Sequence, residues 1–235
     1  MAHPAPLAPA APATSAIPGA VLSDLDGTLL TTEDSWRRVV TALIRRRGVT
    51  PSAELLARVE GSTIEQSALL VHHTLALTEP LGVLVAELEQ FGAAELNSGV
   101  SWCEGAPELL AALTAHRIPL ALVTSSPRSW VDAIAKQLDF TVFDTIVTAD
   151  DVTTTKPDPE PYRVAASRLG VDARDCIALE DSLPGMTAAQ KAGCHTIVVR
   201  PHAADWQNHA HDTVRSLVEL TPTQLITTLR KAHQR

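Results

Sequence analysis

Lysine is scarce in this sequence, with four in 235 residues, at Lys136, Lys156, Lys191 and Lys231. Basic residues as a whole are outnumbered, 19 Lys and Arg against 27 Asp and Glu, for a formal charge of −8. Phosphate backbones are held by clustered Lys and Arg, so this balance argues against nucleic acid as the partner. A small anionic substrate stays open, because one lysine and one metal ion supply enough local positive charge. No apolar run reaches the roughly 20 residues that a bilayer span needs, which excludes an integral membrane pump and leaves no membrane partner to expect. Cysteine is equally thin. Cys103, Cys176 and Cys194 are an odd set without close pairing, which indicates neither a disulfide framework nor a zinc knuckle and predicts a reducing, cytoplasmic compartment. Residues 1–18 are dominated by Ala and Pro and lack both a basic n-region and a continuous apolar h-region. A disordered tail is expected there, and a signal peptide is not.

What is present is the balance of a globular protein, 45% hydrophobic and 20% charged residues, in a chain long enough for one large domain or a main domain with a smaller insert. Residues 20–23 are a short apolar strand candidate ending in an acidic turn. From residue 33 to about 97 no strand-like run occurs. Helical spacing appears instead at Trp36, Val39, Val40, Leu43 and Ile44, then at Leu69, Leu70 and His73, then at Leu84, Leu88 and Phe91. Beyond Gly105 the rhythm alternates. Apolar strands are predicted at 118–123, 145–148, 176–179 and 196–199, separated by helices at 107–116, 129–138, 160–169 and 184–192, with Gly170 and Gly193 as C-caps. Thr221-Pro222 opens a last helix. This pattern predicts an α/β fold: a Rossmann-like, doubly wound parallel sheet made by residues 19–32 and 99–235, with an inserted all-helical cap at 33–98.

Ligands bind beyond the carboxyl ends of such strands, so the polar residues at which apolar runs stop are the candidates. Four endings qualify: Asp24 and Asp26, then Thr124-Ser125-Ser126, then Lys156 within Thr155-Lys156-Pro157-Asp158-Pro159, then Glu180-Asp181-Ser182. Asp24 and Asp26 are two apart, so at the end of an extended strand they start on one face. With Glu180 and Asp181, as many as four carboxylates converge, a cluster tolerable only with protonation, a cation or both. Mg²⁺ suits it, being a hard ion that takes carboxylate, phosphate and water oxygens. A carboxylate attacks phosphorus when metal and ammonium charges offset the repulsion between anions, which makes Asp24 the candidate nucleophile and Asp26 the candidate acid/base. Gly27 lets the backbone turn just after the acids, and Thr124 and Ser125 offer donors to phosphate oxygens. Taken singly each motif has a structural use: Asp26-Gly27 as a turn, Thr124 and Ser125 as helix caps, Lys156 as a solvated loop residue, Glu180-Asp181-Ser182 as another cap. His72-His73, and His209 with His211, are read as surface or boundary residues, and Arg45-Arg46-Arg47 as cations at a helix end.

Four motifs in this order resemble the haloacid dehalogenase superfamily, close to its β-phosphoglucomutase-like phosphatases, over about residues 20 to 200. Asp24-Leu25-Asp26-Gly27-Thr28-Leu29 matches the first family motif, Thr124 the second, Lys156 the third, and Glu180-Asp181 with Ser182 and Gly185 the fourth. The resemblance implies Mg²⁺ held by the Asp24 side chain, the Asp26 backbone carbonyl and Asp181, with phosphate held by Thr124, Ser125 and Lys156. It implies a mobile cap whose substrate loop falls near Gly61-Ser62-Thr63, and a small phosphorylated metabolite, most plausibly a sugar or polyol phosphate, as substrate. Departures sharpen the expectation. Thr31 stands where this branch often carries Asp. Trp36 stands where its mutases carry an acid/base His, and Thr63 where they use Arg, which disfavours the sugar phosphomutase alternative. The insert has no lysine for Schiff-base phosphonate cleavage, and Asp26 separates the chain from dehalogenating relatives. Intact Asp24, Asp26, Lys156 and Asp181 argue against a non-catalytic phosphate- or metal-binding regulatory module.

Overall fold

Strands of a parallel sheet are covered on both faces, so the segments that form them read as short, continuous apolar runs. A computed structural model describes residues 19–59, 62–96, 99–200 and 205–232. The Ala/Pro-rich segment 1–18, with its predicted disordered tail, lies outside the described residues, as does Gly61. The runs become β1 (Val21–Ser23), β2 (Leu120–Val123), β3 (Thr145–Val147), β4 (Ile177–Glu180) and β5 (His195–Val199), joined by β6 (Asp212–Val214). All pair in parallel in the order β3-β2-β1-β4-β5-β6. β6 is largely exposed and only three residues long, which is why no apolar run announced it.

Side chains alternate between the faces along each strand. Val21, Leu120, Leu122, Ile177 and Leu179 pack on one face with α5 (Ala106–Ala115), α6 (Arg128–Ala135) and α9 (Pro222–Ala232). Leu22, Ala121, Val123 and Ala178 pack on the other with α7 (Glu160–Leu169) and α8 (Leu183–Ala192). The doubly wound α/β fold expected from the alternation is the fold observed. Gly170 and Gly193 cap α7 and α8, and Pro222 opens α9, as read from the sequence.

Between β1 and α5 the described residues form four helices, α1 (Glu33–Arg45), α2 (Ala53–Arg58), α3 (Ile64–Thr74) and α4 (Leu81–Leu96). They enclose a separate apolar cluster of Val39, Leu43, Ile44, Val71, Leu84 and Leu88. α2 has six residues and one fully buried side chain, Leu55, too little periodicity to read in advance. Of the arginine run, Arg47 does serve a helix end, donating from Nη1 to Leu43 O at 2.8 Å, and it also ties α1 to α4 through Glu87 at 2.8 Å and reaches Glu79. His72 meets the Glu79 carbonyl and His211 accepts from the Thr196 N–H, ordinary boundary contacts. No described helix is long and apolar enough to cross a membrane.

The register prepares the site. Ser23 pairs with Leu122 on one side and Leu179 on the other, so the next residue of each strand sets Asp24, Val123 and Glu180 side by side. Asp24 N–H donates to Leu179 O at 3.0 Å and holds that level.

Behind the edge strand β3, Asp151 accepts from Arg128 at 2.6 Å, Arg168 at 2.8 Å and the Thr148 hydroxyl at 2.7 Å, linking α6 to α7. Burial opposes its ionisation, but Arg168, Thr148 and Arg128 outweigh it and hold the carboxyl well below the usual range. A depressed carboxylate contributes stability above its unfolded value, about 4, and loses it as pH falls through the folded value. Asp151→Asn is therefore expected to lower stability against urea at pH 7, with the deficit to wild type shrinking only below about pH 4.

Candidate active site

A buried ammonium ion needs oxygens on every side that can reach it. Lys156 is 3% exposed. Its Nζ donates to Asp24 Oδ1 at 2.5 Å and to Val123 O at 2.8 Å, and pairs with Glu180 Oε1 at 2.6 Å. The lysine thus touches the ends of β1, β2 and β4. The Tyr162 ring on α7 lies 5.4 Å from Nζ, and the Tyr162 hydroxyl donates to Glu180 Oε1. Gly185 completes the cradle: a Cβ there would lie 1.9 Å from Glu180 Oε2, so only glycine lets the carboxylate rest against α8.

Beside Glu180, the Asp181 carboxylate accepts from the Thr28 hydroxyl at 3.5 Å, and its backbone carbonyl accepts from Arg200 Nη1 at 2.9 Å. Ser182 caps α8, its Oγ accepting from Gly185 N–H at 3.2 Å. The capping reading of this motif holds for Ser182, while Asp181 keeps its carboxylate in the cluster. Asp24, Glu180 and Asp181 each offer an oxygen within 4.8 Å of the others, and all three are buried.

The fourth carboxylate expected in that cluster has its own surroundings. Gly27, at φ +87°, turns the chain sharply, and Asp26 faces a ring of donors. Its Oδ1 accepts from the Thr32 hydroxyl at 2.6 Å and the Trp130 indole N–H at 3.3 Å. Its Oδ2 accepts from Ser126 Oγ at 2.7 Å and Thr124 Oγ1 at 3.3 Å. Hydroxyls can donate or accept, so three of the four partners suit a carboxylate that gains and loses a proton.

Burial above all, with Glu180 and Asp26 nearby, pushes Asp24 up to about 8 against the pull of Lys156. Burial opposes the charge on Lys156, but Asp24 and Glu180 outweigh it and hold the ammonium above its ordinary range. Asp24 and Glu180 share the Lys156 ammonium ion, Asp181 offers a third buried carboxylate beside them, and the all-oxygen donor set fits Mg²⁺. Ser125 gives a second test of fit. Its Oγ is buried and makes no hydrogen bond, at the strand end where a phosphate oxygen would supply the missing partner.

Asp24, Asp26, Thr124, Ser125, Lys156, Asp181 and Ser182 line one cleft, together with Ser62 and Thr63 from the helical segment. Thr63 also caps α3 in a reciprocal box with Gln66, so its hydroxyl is already engaged. Sequence reasoning missed Thr32, Trp130 and Tyr162, which hold the candidates in place, and gave no role to Thr28 and Ser126, which lie within motifs it singled out. Tyr162, the chain's one tyrosine, sits on the buried face of a helix, where an aromatic reads as core.

The family model for haloacid dehalogenase-like hydrolases matches residues 21–199. The chain belongs to this family. Two curated relatives of these hydrolases are validoxylamine A 7'-phosphate phosphatase of Streptomyces hygroscopicus subsp. limoneus and hexitol phosphatase A of Escherichia coli (strain K12). The first is 33% identical over 201 residues, 85% of this chain and 94% of that protein. The second is 31% identical over 206 residues, 86% of this chain and 93% of that protein. The crystal structure of β-phosphoglucomutase from Clostridium difficile superposes with a TM-score of 0.82, at 18% identity, covering 93% of this chain and 100% of that one. At that identity the likeness concerns the fold.

Ser125→Ala separates a phosphate contact from a structural one. It removes an unpartnered buried hydroxyl, so melting temperature is expected to hold or rise. Inorganic phosphate, as a competitive inhibitor, is expected to bind about tenfold more weakly, the loss of one hydrogen bond of about 1.4 kcal/mol.

Proposed function

We propose that this hydrolase is a Mg²⁺-dependent phosphatase of small phosphomonoesters, working through an aspartyl-phosphate on Asp24 with Asp26 as acid/base. The observation that carries the reading is the buried cluster of Asp24, Glu180 and Asp181, in which the first two share one ammonium ion. The side chains of Asp24 and Asp181 and the Asp26 backbone carbonyl would hold the metal, which supplies positive charge against the carboxylates and the phosphate oxygens. Lys156, Thr124 and Ser125 would hold the phosphoryl group, with Gly27, Glu180 and Ser182 in support.

Asp24 forms its bond to phosphorus as the ester bond breaks, and Asp26 gives the leaving oxygen a proton. Asp26 then takes a proton from the water that attacks the acyl-phosphate, which frees inorganic phosphate and restores Asp24. Residues 33–98 act in this reading as a cap over a core of 19–32 and 99–235, excluding water during the first transfer. Ser62 and Thr63 would meet the substrate from the cap side.

A sugar or polyol phosphate is the favoured substrate class, supported by the names of the two relatives, a hexitol phosphatase and a phosphatase of validoxylamine A 7'-phosphate. The mutase alternative lacks support: the Trp36 indole N–H donates to Ser67 Oγ at 3.3 Å, so that position offers no second acid/base, and Thr63, which caps α3, brings no cation. Three free thiols suit a reducing, cytoplasmic setting.

Release of p-nitrophenol from p-nitrophenyl phosphate is expected in Mg²⁺ and not after chelation. Asp24→Asn is expected to lower turnover by roughly 10³-fold or more while the melting transition persists. Folded wild-type protein without Mg²⁺-dependent release would sink the reading, and an active Asp24→Asn variant would remove Asp24 as nucleophile.

A further inference from the structure

Trp130 stands in the first turn of α6, just beyond the Thr124-Ser125-Ser126 loop. It faces three ways. Its indole N–H donates to Asp26 Oδ1. Its ring meets that of Trp36, on α1, edge to face at a centroid distance of 6.3 Å. On a third side it abuts Gly92 of α4, where an added Cβ would lie 2.9 Å from its Cζ3. The same ring therefore touches the carboxylate assigned proton transfer and two helices of the inserted segment.

Indole is a donor only. Unlike the three hydroxyls around Asp26 it cannot reverse its role, so it fixes the direction of Oδ1 rather than relaying a proton. Its own position is set by what packs against it, and two of those neighbours, Trp36 and Gly92, belong to the inserted helices. A second seam contact lies about two turns further along, just past the end of α6, where Gln137 Nε2 donates to Leu96 O at 3.3 Å.

We infer that Trp130 is a positioning residue that couples seating of the helical segment to placement of Asp26, with Gly92 as the gap that admits its ring. This rests on the proposed phosphatase reading. In the first transfer the Asp24 oxygen bonds to phosphorus, the ester P–O bond breaks and the leaving oxygen takes the Asp26 proton. Misplacing Asp26 slows that step in proportion to how much the leaving oxygen needs the proton. A basic leaving group suffers most.

The test compares kcat/KM for p-nitrophenyl phosphate and phenyl phosphate, which are alike in shape and differ in leaving-group basicity. This parameter reports steps only through the first irreversible release, so the later attack of water does not enter. Trp130→Phe keeps the aromatic wedge and loses the donor. It is expected to lower kcat/KM for phenyl phosphate about tenfold or more, and for p-nitrophenyl phosphate less than about threefold, the size of one positioned donor. Gly92→Ala, a change that favours helix, is expected to reproduce this selective loss by displacing the ring. The double variant is expected to lose little beyond either single change, as coupled neighbours do.

Equal losses on both esters in folded Trp130→Phe would make the residue merely structural and overturn the inference. Wild-type behaviour of Gly92→Ala on both esters would overturn the wedge. Wild-type protein inactive on both esters would instead overturn the phosphatase reading itself.

Discussion

The site depends on one interaction, the Lys156 ammonium buried between Asp24 and Glu180. Its three oxygen partners belong to three adjacent strand ends, β1, β2 and β4, so the lysine checks the register of the middle of the sheet. Removing one member of a buried ion pair leaves the other uncompensated, a penalty of about 3–5 kcal/mol. Glu180 is accordingly held from every direction: by Lys156, by the Tyr162 hydroxyl, by Ser182 Oγ at 3.4 Å, and by a glycine where no side chain would fit. The same charges that lock the strand ends together form the floor of the cleft.

Two aspartates with a single residue between them meet opposite surroundings. Asp24 lies in a buried cluster: burial above all, with Glu180 and Asp26 nearby, pushes its carboxyl up to about 8 against the pull of Lys156. Asp26 lies among hydroxyls and an indole N–H. Pairs of like groups in unlike environments take different roles, one carrying charge and the other exchanging protons. The proposed division of labour would draw on this difference: both acids line one cleft, but the groups that hold each are unlike.

Much of this was legible in the sequence because a parallel sheet ends abruptly. An apolar run that stops at Asp24, Thr124 or Glu180 marks both the strand and the place where a ligand can sit. The helices α7 and α8 fall within a residue of their expected limits, since glycine caps mark where they stop. What the sequence hid has short or tertiary causes. β6 and α2 bury too few side chains to show a period. The partners of Asp26 come from positions up to 104 residues away, and nothing local marks a tryptophan at the start of a helix as a donor to an aspartate. Gly92 is legible only once α4 and α6 are side by side.

The placement of the two acids also suits the two halves of the proposed cycle. Asp24 is fixed entirely by groups of the sheet and the loops at its carboxyl ends. Asp26 is held at a seam: by Thr32, where the chain leaves for the helical segment, by Thr124 and Ser126 of the sheet loop, and by Trp130, wedged against α1 and α4. Phosphoryl transfer to a carboxylate benefits when water is kept out, and hydrolysis of the acyl-phosphate requires water to enter. A nucleophile that stays put while its proton carrier sits on the seam lets one structure serve both demands. In this reading, opening the seam would admit water without disturbing Asp24, and closing it would bring Asp26 back, either to give a proton to the leaving group or to take one from the water.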